Sequence, residues 1–342
     1  MGHHTLEPFR ANLPGLDHDR RSRFLDRAGH DSLLVMRFTL KHLGYFVAAA
    51  EAGSIKLASQ RINISQPSIS SAISHLEKEL NLQLFVRHHA QGLALTRSGK
   101  RMMREAKLLL RQTESLYNVA GELRDEVRGK LSIGCMVTLA PMIIPELGHS
   151  FTKAHPDVRL ALSEGSHEQL LTSLREVEID VAVCYDLEFP DDVSFEPLAS
   201  LPPQVLLAAD HRLATRDLID LEDLEDEPMI LLDLPHSRQY FFSLFQGRDL
   251  TPNIYAHSSN QEVVRTMVAN GYGFTIANVR PKSATALDGR PLTSVRLAGD
   301  HQSMTIGVAT LAHEFKPRLL TAFEQHCRET ISKDHIPGMA SL

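Results

Sequence analysis

The sequence has few cysteines and no long apolar run. Only three of its 342 residues are cysteines, and Cys135, Cys184 and Cys327 lie far apart without forming a CxxC pair. An odd number of widely spaced cysteines is typical of a reducing compartment rather than of a disulfide framework. No stretch approaches the roughly 18 to 20 apolar residues of a membrane-spanning helix, and the first residues lack the apolar core of a secretory signal. We therefore expect a cytoplasmic protein without a membrane partner.

Catalytic and metal-binding motifs are also missing. There is no GxSxG elbow, no P-loop, no GxGxxG after a predicted strand and no HExxH helix. The 18 histidines are mostly scattered, and the adjacent pair His88 and His89 lacks a convincing set of further metal ligands. We expect no enzymatic activity, no metal and no cofactor.

The charge is unevenly distributed along the chain. The net charge is -6, yet residues 36–130 carry 15 lysines and arginines against 8 acidic residues, whereas residues 131–342 carry 16 against 29. A basic segment of about ninety residues fused to an acidic remainder predicts a polyanion-binding module joined to a domain that does not touch the polyanion.

Residues 36–97 have the pattern of a winged helix-turn-helix. Residues 1–35 have no sustained period and are taken as a flexible extension without an assigned function. A helical stripe starts at Leu40 and stops at Gly53. Ser54 is a plausible N-cap for a second helix, and Ser65 for a third that runs to about Leu80. Short strands at residues 82–87 and 93–95 flank a polar hairpin, which is interpreted as the wing.

A long helix is predicted at residues 98–128, capped by Thr96 or Ser98. Its apolar positions alternate spacings of four and three, as in a heptad seam. The seam residues proposed for dimerisation are Met102, Ala106, Leu109, Leu116, Ala120 and Leu123. Packing against its own domain is the alternative, but a helix-turn-helix reader usually presents two recognition helices, which favours a homodimer or a higher homo-oligomer.

Residues 129–332 alternate short apolar runs with helical stretches. This alternation predicts an α/β domain with largely parallel sheets, in which Pro202 and Pro203 form the clearest break. Residues 333–342 remain as a C-terminal tail. The fold class is thus α+β multidomain, with a small DNA-binding module, a linker helix and an α/β domain.

The motifs of the basic segment closely resemble those of the LysR-type transcriptional regulators, in order and in spacing. They are Phe46-Val47-Ala48, Gly53-Ser54, Ser65-Gln66-Pro67-Ser68-Ile69-Ser70, Leu76-Glu77-Lys78-Glu79-Leu80, Leu84-Phe85-Val86-Arg87 and Leu95-Thr96-Arg97-Ser98-Gly99. The resemblance continues more weakly to about residue 331, for example in Ala269-Asn270-Gly271-Tyr272-Gly273. It implies an effector domain like the periplasmic binding proteins, with lobe one at residues 131–201 and 298–332 and lobe two at 202–297. It also implies dimers or tetramers that bind promoter DNA and respond to a small molecule in the cleft.

The third helix is predicted to read double-stranded DNA. An outward Gln66 is suited to bidentate contact with adenine, and serines reach phosphates or bases. Many family members have a long basic residue where this chain has Ser71, so base reading is expected to rely on Gln66, His75 and the wing. The predicted DNA-binding residues are Lys56, Ser65, Gln66, Pro67, Ser68, Ser70, Ser71, His75, Arg87 and His88.

The effector cleft is expected where strands end and helices begin, because free backbone N–H groups there favour anions. The predicted effector-binding residues are Val137, Thr138, Ser166, His167, His236, Ser237, His257 and Ser258. Thr138 and Ser166 are the strongest candidates, although either serves equally well as an ordinary helix cap. A carboxylate effector is the resulting hypothesis.

A cysteine redox sensor on the same scaffold is the alternative function, and an enzyme is the remoter one. Cys135 ends the first predicted strand near the expected cleft, where an exposed thiolate would be oxidised. A free cysteine is more often a small buried apolar side chain. The fate of Cys135 in the fold therefore separates the two interpretations.

Overall fold

The computed structural model describes residues 37–88, 92–122, 127–246, 248, 250–312 and 316–340. The chain divides into two compact units, with residues up to 106 in the first and residues from 107 onwards in the second. Most of the predicted linker helix thus belongs to the second unit.

Three helices form the core of the first unit. They are α1 (Leu40–Ala52), α2 (Ile55–Ile62) and α3 (Gln66–Leu80). Gly53 ends α1 in the left-handed conformation, Ser54 caps α2 and Ser65 caps α3, as the sequence predicts. The buried apolar side chains of α1 and α3 meet between the helices; they are Leu43, Phe46, Ala49, Ile69, Ala72, Ile73 and Leu76.

The wing consists of the antiparallel strands β1 (Phe85–His88) and β2 (Gly92–Leu95), with residues 89–91 of its hairpin outside the described residues. The first strand begins three residues later than predicted. The Glu77 carboxylate accepts hydrogen bonds from the backbone N–H groups of Leu84 at 2.8 Å and Phe85 at 3.2 Å. These bonds hold the segment before Phe85 against α3, and the pairing of β1 with β2 begins only at Phe85.

The linker helix α4 spans Arg97–Glu122, so it ends earlier than the predicted 128; residues 123–126, including Leu123, lie outside the described residues. Thr96 and not Ser98 caps it, because the Thr96 hydroxyl accepts the Gly99 N–H at 2.8 Å. Along the seam, Ala106 is buried within the single chain and Met102 is half-buried, whereas Leu109 is 38% exposed. The side chains of Leu116 and Ala120 lie outside the described part.

Lobe one of the second unit is a five-stranded sheet with helices. Its strands are β3 (Gly129–Met136), β4 (Val158–Gly165), β5 (Val181–Tyr185), β6 (Val193–Leu201) and β13 (Met304–Leu311), in the order β4-β3-β5-β13-β6. Its helices are α5 (Ala140–Ala154), α6 (His167–Arg175) and α9 (Arg318–Thr330). One cluster of buried side chains, which includes Phe151 and Phe323, holds these elements together.

Lobe two has its own core and two sheets. Its strands are β7 (Gln204–Ala208), β8 (Leu218–Ile219), β9 (Pro228–Leu232), β10 (Asn253–Ser258), β11 (Thr275–Ala277) and β12 (Leu292–Leu297). Its helices are α7 (Pro235–Gln246) and α8 (Gln261–Ala269), with a 3-10 turn at Leu221–Leu224. The chain crosses between the lobes twice, once at Pro202-Pro203 and once between β12 and β13.

The prediction of largely parallel sheets is wrong. Among the described strands of this unit, half of the pairings are antiparallel, since β13 returns from lobe two and runs against both β5 and β6, and β7 runs against both β11 and β12. The apolar runs of the sequence also miss the strands β6, β8, β10 and β12. None of these strands is buried along its whole length, so none carries a continuous apolar run.

The C-terminal tail packs onto lobe one. Ile336 and Met339 are buried in its core, and the Gly338 N–H donates to Glu146 Oε2 at 2.8 Å. The tail therefore belongs to the folded lobe rather than extending from it. None of the helices in the described ranges is both long and apolar enough to cross a membrane.

Candidate DNA interface and effector cleft

The amino-terminal end of α3 presents polar groups to solvent. The Ser65 hydroxyl accepts from the Ser68 N–H at 3.4 Å and shares a 2.8 Å hydrogen bond with the Ser68 hydroxyl. Gln66 and Pro67 follow at the first two helical positions, and both are exposed. No acidic residue lies in the first turn, so the positive end of the helix dipole is free to face a phosphate.

Further along α3, Ser71 is exposed and Ser70 is half-buried. His75 is half-buried, and its ring is engaged with protein groups while it lines the surface of α3. Its Nε2 lies 2.6 Å from the Arg37 carbonyl oxygen, and its ring packs edge-on against His42 at 5.0 Å between centroids. Because one ring nitrogen is already bonded, His75 fixes the chain before α1 more directly than it offers a base contact.

A surface recess between α1 and α3 adds residues that the sequence did not single out. His42 and Tyr45 of α1 line it together with Ser68 and Ser71 of α3. Tyr45 is half-buried and ends in a hydroxyl, which is a frequent phosphate contact in DNA complexes. Tyr45 lies between apolar positions of the α1 stripe, so the sequence did not single it out.

The remaining predicted DNA-binding residues lie on other elements of the first unit. Lys56 is exposed on α2. Arg87 and His88 lie on β1 of the wing, at positions paired with Leu93 and Gly92, and their side chains lie outside the described part.

A pocket opens between the two lobes of the second unit. Its volume is about 560 Å³, including space open to solvent. The polar residues that line it are Thr138, Tyr185, Ser237, Tyr240, Gln261, Arg265, Thr275 and Asn278. Its apolar wall includes Leu206, Leu232, Phe241, Ile276 and Met304. A lining of apolar side chains with a few polar groups is typical of sites for small organic ligands.

Two of the eight predicted effector residues line this pocket. They are Thr138, which is buried just before α5, and Ser237, in the first turn of α7. Val137 is next to Thr138 but is exposed outside the pocket lining. Of the two residues predicted after the first strand, Thr138 alone lines the pocket.

Ser166 is a helix cap, which was the alternative stated for it. Its hydroxyl accepts a hydrogen bond from the Gln169 N–H at 3.4 Å. The Gln169 side chain in turn accepts a hydrogen bond from the Ser166 N–H, which completes a capping box. Ser258 similarly accepts from the Asn260 N–H at 3.1 Å. Neither serine lines the pocket.

The three predicted histidines are engaged with protein groups. His167 is buried, with its Nε2 2.9 Å from the Glu188 carbonyl oxygen. His257 Nδ1 lies 2.9 Å from Asp233. His236 of lobe two lies 2.9 Å from Glu168 of lobe one. Within the described part of the chain, no group of three or more His, Cys, Asp or Glu is arranged to hold a metal ion.

A hydrogen-bonded chain joins the pocket to both crossings between the lobes. The Asn278 amide donates to the Leu201 carbonyl at 3.0 Å and to the Tyr240 hydroxyl at 2.9 Å, and that hydroxyl donates to the Gln302 carbonyl at 2.6 Å. Burial raises the pKa of Tyr240, so its hydroxyl remains a proton donor at neutral pH. Tyr240 and Asn278 thus connect the pocket lining to the segments that join the lobes.

The pocket also collects unpaired polar atoms. Among the residues that the structure describes, the buried side-chain atoms without a hydrogen-bond partner are Gln261 Oε1, Arg265 Nε and Thr275 Oγ1, and all three residues line this pocket. Each such atom lowers the stability of the fold by about 1 to 3 kcal/mol when it lacks a hydrogen-bond partner. Unpaired atoms of this kind need a partner that the protein itself does not supply, such as water, an ion or a ligand.

Family models match both units of the chain. Residues 40–100 match the bacterial regulatory helix-turn-helix protein of the lysR family, and residues 124–332 match the LysR substrate binding domain. The chain belongs to the LysR family. It is a transcriptional regulator with a DNA-binding helix-turn-helix and an effector-binding domain.

Relatives and solved structures agree with this membership. The chain is 31% identical to the Bacillus subtilis transcriptional regulator YvbU over 257 residues, which are 74% of this chain and 84% of that protein. It is 27% identical to OxyR of Escherichia coli over 240 residues, 69% of this chain and 78% of OxyR. Both relatives are transcriptional regulators.

Two solved structures from Pseudomonas aeruginosa are similar to this fold. HinK shares 36% identity, with a TM-score of 0.59 over 86% of this chain and 99% of HinK. A full-length OxyR variant shares 25% identity, with a TM-score of 0.70 over 85% of this chain and 95% of OxyR.

The cysteines of this LysR regulator do not form an exposed redox site. Cys135, Cys184 and Cys327 are all free and buried in the core of lobe one. Burial raises the pKa of the Cys135 thiol well above its ordinary value and that of Cys184 to about 12. The reactive thiolate is therefore disfavoured at each of these two positions.

Sequence reasoning missed the lobe-two residues that dominate the pocket. Arg265 is a buried position of α8, together with Val264, Val268 and Ala269, and Gln261 lies one turn before it. An arginine within such an apolar face is a detectable signal, because charged side chains are rarely buried without a purpose.

Proposed function

We propose that this LysR regulator binds promoter DNA with α3 in the major groove, and that a small molecule in the cleft between the lobes changes that binding. The arrangement of α3 carries the proposal. Its capped end displays Gln66, Ser68 and Ser71 to solvent without an opposing acidic residue in the first turn. Gln66 is assigned to base reading, since its amide matches the donor and acceptor pair of adenine.

Phosphate contacts position the helix on the duplex. Lys56 of α2 and Tyr45 of α1 are assigned to the DNA backbone beside the groove, and the first-turn N–H groups of α3 add a favourable dipole. Arg87 and His88 are assigned to the backbone or the minor groove, since they lie on the wing strand β1.

We infer that two copies bind together through the seam of α4. Met102, Leu109 and Leu116 belong to its apolar positions, and exposure of Leu109 supports a partner on this face. A homodimer places two α3 helices about 34 Å apart on successive major grooves, and two dimers give a tetramer.

The effector is assigned to the pocket between the lobes. Thr138 and Ser237 come from helix starts on opposite lobes, so a ligand that contacts both changes how the lobes are held. Such a ligand shifts the regulator only to the extent that it binds one arrangement of the lobes more tightly than the other.

Footprinting on the DNA upstream of the gene and its neighbours tests the proposal. We expect wild-type protein to protect a two-fold site, and Gln66→Ala to weaken binding to that site by about 1 to 3 kcal/mol while leaving binding to random DNA nearly unchanged. Gln246→Ala is the matched control, since Gln246 is an exposed glutamine at the end of α7 in lobe two.

Protein that protects no genomic fragment at low salt would refute the proposal and reopen an enzymatic function. Equal loss of specific and random binding in Gln66→Ala would instead remove Gln66 from base reading. A regulatory response to peroxide that depends on Cys135 would favour the redox alternative, which the burial of this cysteine opposes.

A further inference from the structure

We propose that the cleft ligand is a small organic monocarboxylate with an apolar body, held by Arg265 and Thr275 of lobe two. The inference rests on the proposed function, because it names the chemical class of the effector for the same pocket. Its basis is the charge, burial and hydrogen bonding of the residues that line the cleft.

Arg265 supplies the positive charge. It is 6% exposed and is the charged residue among the described side chains that line the pocket. Its Nη2 donates to the carbonyl oxygens of Ser283 at 3.3 Å and Thr285 at 3.2 Å. Its Nε makes no hydrogen bond, although it lies 3.5 Å from Glu262. The protein thus holds the guanidinium in place and leaves part of its donor capacity unused.

Glu262 balances this charge only in part. Its side chain is 40% exposed and does not line the pocket, so water screens it. A ligand carboxylate inside the pocket meets a guanidinium that is 6% exposed, so water screens their interaction less. Charge-assisted hydrogen bonds of this kind are stronger than neutral ones.

Thr275 and Gln261 add two unpaired polar atoms to the pocket lining. The Thr275 hydroxyl is 3% exposed and donates to no protein group, so it is available to the second carboxylate oxygen. Gln261 Oε1 is also unpaired and accepts a hydroxyl or N–H donor from the ligand. Gln261 and Arg265 lie four residues apart on α8 and therefore share one face of the helix.

The apolar part of the lining favours a ligand with an apolar body. Its side chains include Leu206, Leu232, Phe241, Ile276 and Met304. No carboxylate belongs to the described lining, which disfavours a cationic ligand. An aromatic or branched acid matches a lining with one cation and many apolar side chains better than a polyanion does.

Paired probes test the charge requirement in the full-length protein. Benzoate and phenylacetate are compared with benzamide and phenylacetamide, which keep the shape and lose the charge. Calorimetric titration at matched ionic strength is expected to give at least tenfold tighter binding of an acid than of its amide. Equal or tighter binding of the amides, or no binding of either acid, overturns the proposal.

Two substitutions test the assigned residues. Arg265→Met removes the charge but also the bonds to the 283 and 285 carbonyls, so its folding is checked by thermal melting. Thr275→Val removes a hydroxyl without a protein partner, and we expect a melting temperature no lower than wild type together with at least threefold weaker acid binding. Thr310→Val is the control, because Thr310 is a buried threonine of β13 that does not line the pocket.

Unchanged acid affinity in Thr275→Val and in a folded Arg265→Met overturns the assignment. The same preparations are assayed for shifts of promoter DNA. Wild-type protein that shifts promoter DNA but binds neither acid rejects the ligand class alone, whereas wild-type protein that binds no DNA rejects the proposed function.

Discussion

His236 of lobe two lies against Glu168 of lobe one, with 2.9 Å between Nε2 and Oε1. The His236 ring also packs edge-on against His167 of lobe one, with 5.2 Å between the ring centroids. Both contacts lie beside the first turn of α7, where Ser237 enters the effector pocket. They join the two lobes independently of the chain crossings.

The link between Glu168 and His236 should depend on pH through the carboxylate. The pKa of Glu168 is lowered by its own backbone N–H, by the Ser166 hydroxyl and by His236. A carboxylate with a lowered pKa stabilises the fold above its ordinary pKa, and this contribution is lost as the pH falls through the folded-state value. Glu168→Gln should therefore unfold in less urea than wild type at pH 7, and the difference should shrink below about pH 4.5.

The effect should be small, below about 1 kcal/mol, because Glu168 is 60% exposed. Glu225→Gln, at an exposed glutamate of lobe two, controls for loss of one negative charge. A difference between Glu168→Gln and wild type that grows as the pH falls would contradict the assignment.

Local signals in the sequence were sufficient to predict the three helices of the DNA-binding unit. Gly53, Ser54 and Ser65 act through their immediate neighbours, so the helix boundaries follow from the order of residues. The start of β1 depended on Glu77, which bonds to residues seven and eight positions away. Such a bond between elements is invisible to periodicity.

The cleft was harder to predict because its residues come from distant parts of the chain. Thr138 follows a strand of lobe one, and Arg265 and Thr275 belong to lobe two, more than 120 residues later. A rule about strand ends found Thr138 and also selected Ser166 and Ser258, which cap their own segments. Only the folded chain distinguishes a serine that caps a helix from one that faces a ligand.

Gly273 should be intolerant of a side chain. Its φ is +143°, and a Cβ atom would collide with the Pro228 carbonyl oxygen, which accepts the Phe274 N–H at 2.9 Å. We expect Gly273→Ala to lower stability by more than about 2 kcal/mol, measured by thermal unfolding. Gly271→Ala is the matched comparison, because Gly271 also has a positive φ but has open space around it; we expect about 1 kcal/mol there. Equal losses of stability in Gly273→Ala and Gly271→Ala would mean that the positive φ, and not the collision, determines the loss.

The three cysteines should be unreactive in the folded protein. Burial disfavours the thiolate of Cys135 and Cys184 by raising their pKa, and it raises the pKa of Cys327 as well. A disulfide-exchange reagent at pH 8 should find no rapidly reacting thiol in native protein and three after unfolding in urea. Cys135→Ser should leave the transcriptional response to peroxide unchanged. A rapid native thiol that disappears in Cys135→Ser would instead support the redox alternative.

Lys56 should set part of the salt dependence of DNA binding. A lysine that contacts a phosphate releases about 0.9 counterion on binding, so Lys56→Ala should flatten the slope of log K against log salt by about 0.9 per protomer, or about 1.8 for a dimer. Because a phosphate contact carries no sequence information, affinity for operator and random DNA should fall alike. Lys153→Ala, at an exposed lysine in the last turn of α5, removes the same charge from the effector domain and should leave the slope unchanged. An equal flattening in both variants would show that net charge, and not a contact by α2, governs the effect.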